Sequence, residues 1–473
     1  MSNNIDDSDV RNIENNEGEI VGKEIVKDDH ISLRAWCTIF TVFTVDALSL
    51  GARSLFLVMI LQWETDLNWN RENLGGLIAV VHIFNGFFTP IAGHLIDKYF
   101  KGREQIIMSF ALFYLALCFC CTALLTSSWQ VWFVYGFMSG SAYGLLNLNT
   151  FSVAIIRAVP ENKIGFAVGV GTSGSTAGQL ALVPLFSYLN KTYGWRQCYF
   201  ALAVSAFMLI IPTLIFIKQP TVPVNTESDI ETEITEKLSH EKSNDNVAEP
   251  SQTAQAEGDK MLTSIISLFC IPQYWVLIGV FVACGVTTTG FIETHFIALQ
   301  IQRGENDTSI AALAFSLLCA TNGVSMVITG YLVDVLNRHY LLAGIFFIRG
   351  LCYVLLLLPI QHLGDNRIIL FIFSAFFGFV DYSVVPPIVS LVKSLAGDSL
   401  VGLGVGILLL FHSFGAAAGS SIGGFVFHST GNYSIALYLC LSLCVTAAIA
   451  CASMSFDAFV QGQKKYEGLV ATS

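Results

Sequence analysis

Several ionisable and amide side chains sit where the sequence is otherwise apolar. "DALSLGARSLF" (46–56) carries Asp46 and Arg53 inside a stretch running from Ala35 to Leu61, and "FIETHF" carries Glu293 and His295. His82 and His412 stand alone in apolar runs. Asn147 and Asn149 share an N-L-N tripeptide, Asn322 interrupts another run, and Arg349 and Asp381 interrupt two more. Their chemistry is binding and proton transfer. A guanidinium can hold a carboxylate through two hydrogen bonds. A carboxyl or imidazole can carry a proton within the physiological range once its surroundings shift it. Asp46 and Arg53 share one helix face, because seven residues rotate about 700°, yet they stand about 10 Å apart along the axis, too far for a direct bond. Asp46 is therefore either a proton site or a partner for another helix. Nothing points to covalent catalysis. There is no Walker loop, no G-x-S-x-G and no metal-spaced His/Cys cluster, and "GVGTSGSTAG" lacks the lysine of a phosphate loop and reads as small-residue helix packing. No cofactor and no metal are expected.

The elements that position these groups are membrane spans. The chain is 54% hydrophobic and 12% charged, against roughly 25% charged in a soluble domain. Ile106–Ile156 and Val401–Phe456 contain no Asp, Glu, Lys or Arg. Each window is too long for one crossing of a hydrocarbon layer about 30 Å thick, so each is two spans joined by a turn, at "TSSWQ" and "HSTGNYS". The net charge of −11 resides in two polar segments, residues 1–34 and 218–262, and the body between and after them is neutral. The acidity thus says nothing about a substrate, and both segments read as disordered. The first 34 residues lack the apolar core of a signal peptide. The twelve cysteines lie mostly in apolar spans and form neither a disulfide framework nor a zinc pattern.

Twelve spans are expected: roughly 35–61, 73–96, 105–126, 129–156, 164–188, 195–217, 270–299, 309–332, 340–360, 368–392, 401–427 and 432–456. The division is an acidic N-terminus (1–34), a six-helix bundle (35–217), an acidic linker (218–269), a second bundle (270–456) and a tail (457–473). An internal repeat supports the halving. Gly93 and Asp97 in "GHLID" recur as Gly330 and Asp334 in "GYLVD", and Gly165 in "GFAVGVG" recurs as Gly402 in "GLGVGIL", each pair 237 residues apart. An even number of spans puts both termini and the linker on one side. Lys and Arg of the short loops divide seven to five in favour of that side, a weak signal. Three glycosylation sequons, at Asn190, Asn306 and Asn432, all fall on the other side. The expectation is a multi-pass plasma-membrane protein with cytoplasmic termini and linker, in contact with lipid and not with nucleic acid.

Six plus six spans with G-x-x-x-D closing the second resemble the major facilitator superfamily. The resemblance implies an all-α membrane fold of 12 transmembrane helices in two pseudo-symmetric six-helix bundles. The signature loop stands here as "GHLIDKYFKGR", with Lys98 in place of its first arginine and Arg103 near its end; the second-half copy is "GYLVDVLNR", ending at Arg338. An aspartate of this loop can cap a helix and pair with an arginine when the linker-side face is closed. "AYGLLNLNTFSVAIIRAVPENKIGFAVGVGTSGSTAG" (142–178) looks like the monocarboxylate transporter family, and "LGARSLF", "LNWNRENLG", "TTTGFIETHF" and "VDYSVVPP" are similar to its bacterial oxalate/formate-antiporter-like branch. The sequence departs from the animal members in the eighth span, "SIAALAFSLLCATNGVSMVITGY", which lacks their Asp and Arg, and in the short loop "RAVPENK".

The resemblance implies a central cavity lined by the first, fourth, seventh and tenth spans, with Arg53 as the substrate-contacting cation; a structural ion pair, or an arginine reaching to the outer end of its span, is the alternative for Arg53. Asn147 or Asn149, Asn322 and His412 are further substrate contacts, and Asp46, Glu293, His295 and His82 are proton carriers. Packing hydrogen bonds are the alternative for the asparagines and for His82 and His412, and a pair facing water is the alternative for Glu293 and His295. Arg349 is expected to form a salt bridge with Asp381, and Pro386 and Pro387 to hinge the tenth span. The function expected is proton-coupled, alternating-access transport of a small organic anion of monocarboxylate type, with substrate and protons as partners. The same fold carrying a larger neutral or aromatic metabolite, such as riboflavin or a drug, is the second reading. A non-transporting sensor is the third.

Overall fold

Broken helices, more than whole ones, define the interior of this protein. The computed structural model describes residues 31–100, 103–160, 163–217, 266–305, 307–358, 366–396 and 401–454. The tails, most of the linker and Asn306 lie outside the described residues.

Twelve spans follow in order. Helix α1 runs Leu33–Ser54 and resumes as Phe56–Asp66, α2 is Arg71–Lys98, α3 is Glu104–Ala123, and α4 extends from Ser128 through Ser139–Leu145 to Leu148–Ile156. Helix α5 is Ile164–Thr172 plus Gly174–Tyr193, and α6 is Trp195–Phe216. The second half repeats the plan: α7 is Pro272–Gly285 continuing to Glu293–Gln302, α8 is Thr308–Val335, and α9 is Arg338–Leu357. Helix α10 is Asn366–Val380 plus Val385–Ala396, α11 is Val401–Thr430 and α12 is Ser434–Ala452. Among the described residues ten helices are long and apolar enough to cross a membrane. The other two spans are α4 and α5, which are interrupted at Leu146–Asn147 and at Ser173.

Local sequence explains the ends and the breaks. The side chains of Ser32, Asn70 and Asp307 accept the N–H of Ala35, Asn73 and Ser309 at 3.2, 2.9 and 2.9 Å and start α1, α2 and α8. Gly194, at φ +85°, makes the sharp passage from α5 to α6 that a side chain would resist. Stretches of π-helix occupy Val131–Met138 in α4 and Val286–Ile292 in α7, and the second contributes Thr288 and Thr289 to the interior wall. The break expected at Pro386 and Pro387 lies earlier, at Asp381–Val384. Both prolines fall in the first turn of the segment Val385–Ala396, where a missing N–H breaks no hydrogen bond.

Small residues let the helices of each half approach. A Cβ on Gly178 of α5 would lie within 1.9 Å of the Ala47 carbonyl oxygen on α1, and one on Gly419 of α11 within 2.4 Å of the Val286 carbonyl oxygen on α7. These equivalent pairs, α1 with α5 and α7 with α11, follow the internal repeat and account for the "GVGTSGSTAG" stretch as packing. The halves meet each other through α2 with α11 and α5 with α8. On α2, Gly75 sits against the Ser420 backbone of α11.

Candidate functional site

The interruptions place polar side chains around one central cavity of about 260 Å³, just below the roughly 300–1,000 Å³ usual for ligand pockets. Asp46, Arg53, His82, Asn147 and His412 all line it. Leu148 and Phe151, from the part of α4 nearest the linker side, extend the wall in that direction. Contacts between the halves gather at the other mouth, where Lys191 Nζ meets Asp307 Oδ1 at 2.5 Å and Arg71 donates to the Tyr433 hydroxyl at 2.8 Å. The cavity therefore opens toward the linker side and is closed away from it.

Arg53 is the cavity's cation, and it is held. Its Nη2 lies 3.3 Å from Glu293 Oε2, and the Tyr382 hydroxyl donates to Glu293 Oε1 at 2.7 Å. Glu293 touches a small recess behind the main cavity, so Arg53 faces the cavity while its partner grips it from behind. The bond joins α1 of one half to α7 of the other. Tyr382, in the α10 break, was not singled out by sequence. Its signal was an aromatic hydroxyl in "VDYSVVPP", beside a buried aspartate.

Asp46 pairs with another helix through that helix's backbone. Its Oδ2 accepts the Ser175 N–H at 2.8 Å, in the first turn of the second segment of α5, a favourable place for a carboxylate. Asn147 plays the same part within α4. Its Oδ1 accepts the Thr150 N–H at 3.2 Å and its amide donates to the Gly144 carbonyl, bridging the break. The Asn149 side chain is outside the described residues. His412 presents its ring 4.8 Å from the Phe281 ring.

Other candidates sit elsewhere. Asn322 is 1% exposed and ties α8 to the α10 break, donating to Asp381 Oδ2 at 3.3 Å and accepting the Tyr382 N–H at 2.9 Å. An amide serves packing and substrate equally well, and here packing takes it. Arg349 and Asp381 do come together, although not through the expected carboxylate contact. The guanidinium donates to the backbone carbonyls of Val380 and Asp381, each at 2.6 Å, and to Cys284 Sγ at 3.3 Å. Those carbonyls end the first segment of α10, so the cation fills a helix C-terminus. His295 is completely buried at the closed mouth and faces neither water nor the cavity.

On the linker side, Arg338 donates to Ser394 Oγ at 2.7 Å within the second half, Arg103 is exposed, and Gly93 and Gly330 have open space beside them. The Asp97 and Asp334 side chains are outside the described residues. Sequence also passed over a buried ion pair there, between Arg157 at the end of α4 and Glu104 at the start of α3. Of the sequons, Asn190 is 5% exposed and leaves no room for a glycan. Asn432 lies in the α11–α12 turn, its Oδ1 accepting the Ser434 N–H at 3.0 Å.

Twelve helices in two halves, closed at one mouth over a cavity that carries a few polar and charged side chains on a largely apolar wall, define a membrane transporter. The model of the Major Facilitator Superfamily matches residues 42–396, and the chain belongs to that family. It is 22% identical over 396 residues to "Uncharacterized MFS-type transporter YcxA" of Bacillus subtilis (strain 168), covering 82% of this chain and 87% of that protein. It is 22% identical over 399 residues to "Monocarboxylate transporter 13" of Rattus norvegicus, covering 84% of each. Over 194 residues it is 27% identical to "Multidrug resistance protein MdtG" of Dickeya zeae (strain Ech586), covering 40% of this chain and 45% of that one. Among solved structures, a bacterial homologue of the human lysosomal transporter Spinster, inward-facing and unoccupied, superposes with a TM-score of 0.63 at 13% identity, covering 93% of this chain and 98% of that one. A D-xylose–proton symporter superposes with a TM-score of 0.63 at 15% identity, covering 89% and 98%. These structures share the fold.

Proposed function

We propose that this transporter carries a small organic anion of monocarboxylate type together with a proton. The observation that carries the reading is the Arg53–Glu293 contact, with the arginine on the cavity wall and the glutamate behind it. The pair is neutral as it stands. A carboxylate entering alone would add an uncompensated charge where charges interact strongly. Protonation of Glu293 removes that obstacle. The guanidinium is then released to the substrate, and the Tyr382 hydroxyl keeps hold of the neutral carboxyl. Anion and proton enter together, and the loaded site carries the same charge as the empty one.

The halves spanning 35–217 and 270–456 would rock about this site, with the acidic segment 218–269 joining them on the cytoplasmic side and plasma membrane as the setting. The structure then corresponds to an inward-open state. The resemblance to monocarboxylate transporters and the name of the Rattus norvegicus relative support the substrate class. A second reading, a larger neutral or aromatic metabolite, is favoured by the rings of Tyr143, Phe151 and Phe281 on the wall and by the relatives named for multidrug resistance.

Uptake into proteoliposomes separates the two. The panel holds short monocarboxylates, oxalate and riboflavin, with and without an inward proton gradient, for the wild type and Arg53→Leu. Gradient-stimulated carboxylate uptake that falls by about tenfold or more in the variant supports the anion reading. Uptake of a neutral compound that survives the variant contradicts it.

A further inference from the structure

At the closed mouth a hydrogen-bonded chain crosses from one half to the other, and its direction is fixed by chemistry. Arg71, at the start of α2, donates from Nη1 to the Tyr433 hydroxyl at 2.8 Å, and it is steadied by Glu64 at 2.5 Å and by the Phe427 ring 4.3 Å away. The Tyr433 hydroxyl lies 3.3 Å from His295 Nδ1, and His295 Nε2 lies 2.9 Å from the Ser420 carbonyl oxygen. A carbonyl only accepts, so Nε2 carries the hydrogen, and in a neutral ring Nδ1 is then the bare acceptor. Tyr433 must then donate to Nδ1 while its oxygen accepts from Arg71. Every group is satisfied once, and only by a neutral imidazole.

We infer that His295 is a proton-binding site that controls the far mouth: the mouth closes on the neutral ring and a proton taken up there holds it open. An imidazolium has two N–H donors and no acceptor. At Nδ1 it would face the hydroxyl that is donating to it, with the Arg71 guanidinium immediately beyond. Nor can the ring move aside. A Cβ on Gly423 would lie 2.5 Å from His295 Cδ2, so α11 already packs against the ring at glycine distance. His295 is 0% exposed and Tyr433 1%, so no water relieves the mismatch.

The charged and titratable groups that face His295 are few. Helix α2 presents Arg71, backed by Glu64 of α1; the α11–α12 turn presents Tyr433; α11 presents the Ser420 carbonyl and Gly423. On its own helix Glu293 is taken by Arg53 and Tyr382. A second histidine at this mouth, His428, lies 3.8 Å from Glu72 and is half exposed. It is the competing source of any pH response.

The test measures opening of the far mouth in lipid nanodiscs by electron–electron distance spectroscopy. Nitroxides are attached through ketone-bearing non-natural residues at Thr65 and Ser434, both exposed and in opposite halves. As pH falls from about 8 to about 5.5, the wild-type open-to-closed ratio should rise, by up to about tenfold per pH unit where one proton binds the open form alone. His295→Gln should lose that response and His428→Gln should keep it. Tyr433→Phe, which leaves the histidine in place, should raise the open fraction already at pH 8. A flat wild-type response, a response that survives His295→Gln, or one that disappears in His428→Gln overturns the inference.

Discussion

Arg53 and Glu293, 240 residues apart in the chain, bind each other across the boundary between the two halves at 3.3 Å. Any movement that separates α1 from α7 breaks this contact, and any anion that takes Arg53 from the cavity side loosens it. One bond thereby links occupancy of the cavity to the relation between the halves. Alternating access requires a coupling of that kind.

Arg53→Leu should lower kcat/KM for carboxylate uptake by about 10- to 150-fold, the equivalent of a lost hydrogen bond to a charged group, about 1.5–3 kcal/mol. Arg53→Lys should recover part of that loss, since it restores charge without the planar fork. Transport kinetics in proteoliposomes check both.

Arg349→Lys should destabilise the second half although it keeps the charge. The guanidinium reaches two carbonyls and a sulfur at once, and an ammonium cannot reproduce that planar spread within a buried site. The expected cost is about 1–3 kcal/mol, read as a lower melting temperature in detergent. Full retention of the wild-type melting curve would show that the α10 break does not depend on this arginine.

Gly178→Val should disrupt folding, because even a Cβ would lie within 1.9 Å of the Ala47 carbonyl oxygen and α1 would have to move. Gly93→Ala, with nothing within 4 Å of the added carbon, serves as the control and should be tolerated. Monodisperse yield on size-exclusion chromatography distinguishes the two.

At the far mouth, the Lys191 ammonium and the Ser309 N–H hold the Asp307 carboxyl below its usual range. A carboxyl lowered in the closed form favours closure above its ordinary value and stops doing so as pH falls through the lowered one. This contact therefore stays in place across the range in which His295 would respond. It is exposed and screened, so Asp307→Asn should change the open-to-closed ratio by less than about fivefold. The Thr65–Ser434 distance distribution reports it.

The spans were legible because a bilayer leaves a coarse mark: charge-free windows and a repeat at constant offset survive any detail of packing. Arg53 and Asp46 were legible as cavity residues for the same reason, since charges in such a setting need a purpose. An ion pair was one of the readings open to Arg53, but Glu293 as its partner was not legible. Each residue carried its own separate reading, and only the folded halves bring them together. The breaks at Leu55, Ser173 and Asp381 carry no proline, Pro386 and Pro387 fall in a first turn where a helix tolerates them, and Pro90, Pro184 and Pro212 lie inside helices that continue through them. The polarity of Asn322 and His295 was visible, but it left pathway and packing both open for Asn322 and a proton carrier or a water-facing group for His295. Their partners, Asp381 and the Ser420 carbonyl, lie on other helices and gave no local signal.

The most direct test of the central claim follows anion uptake and proton entry together in proteoliposomes, with a labelled monocarboxylate outside and a pH dye inside, for the wild type and Glu293→Gln. The account predicts acid entry in step with the anion for the wild type. In the variant it predicts continued exchange of internal for external anion, with loss of both acid entry and gradient-driven accumulation. Accumulation and acid entry in Glu293→Gln equal to those of the wild type would contradict it.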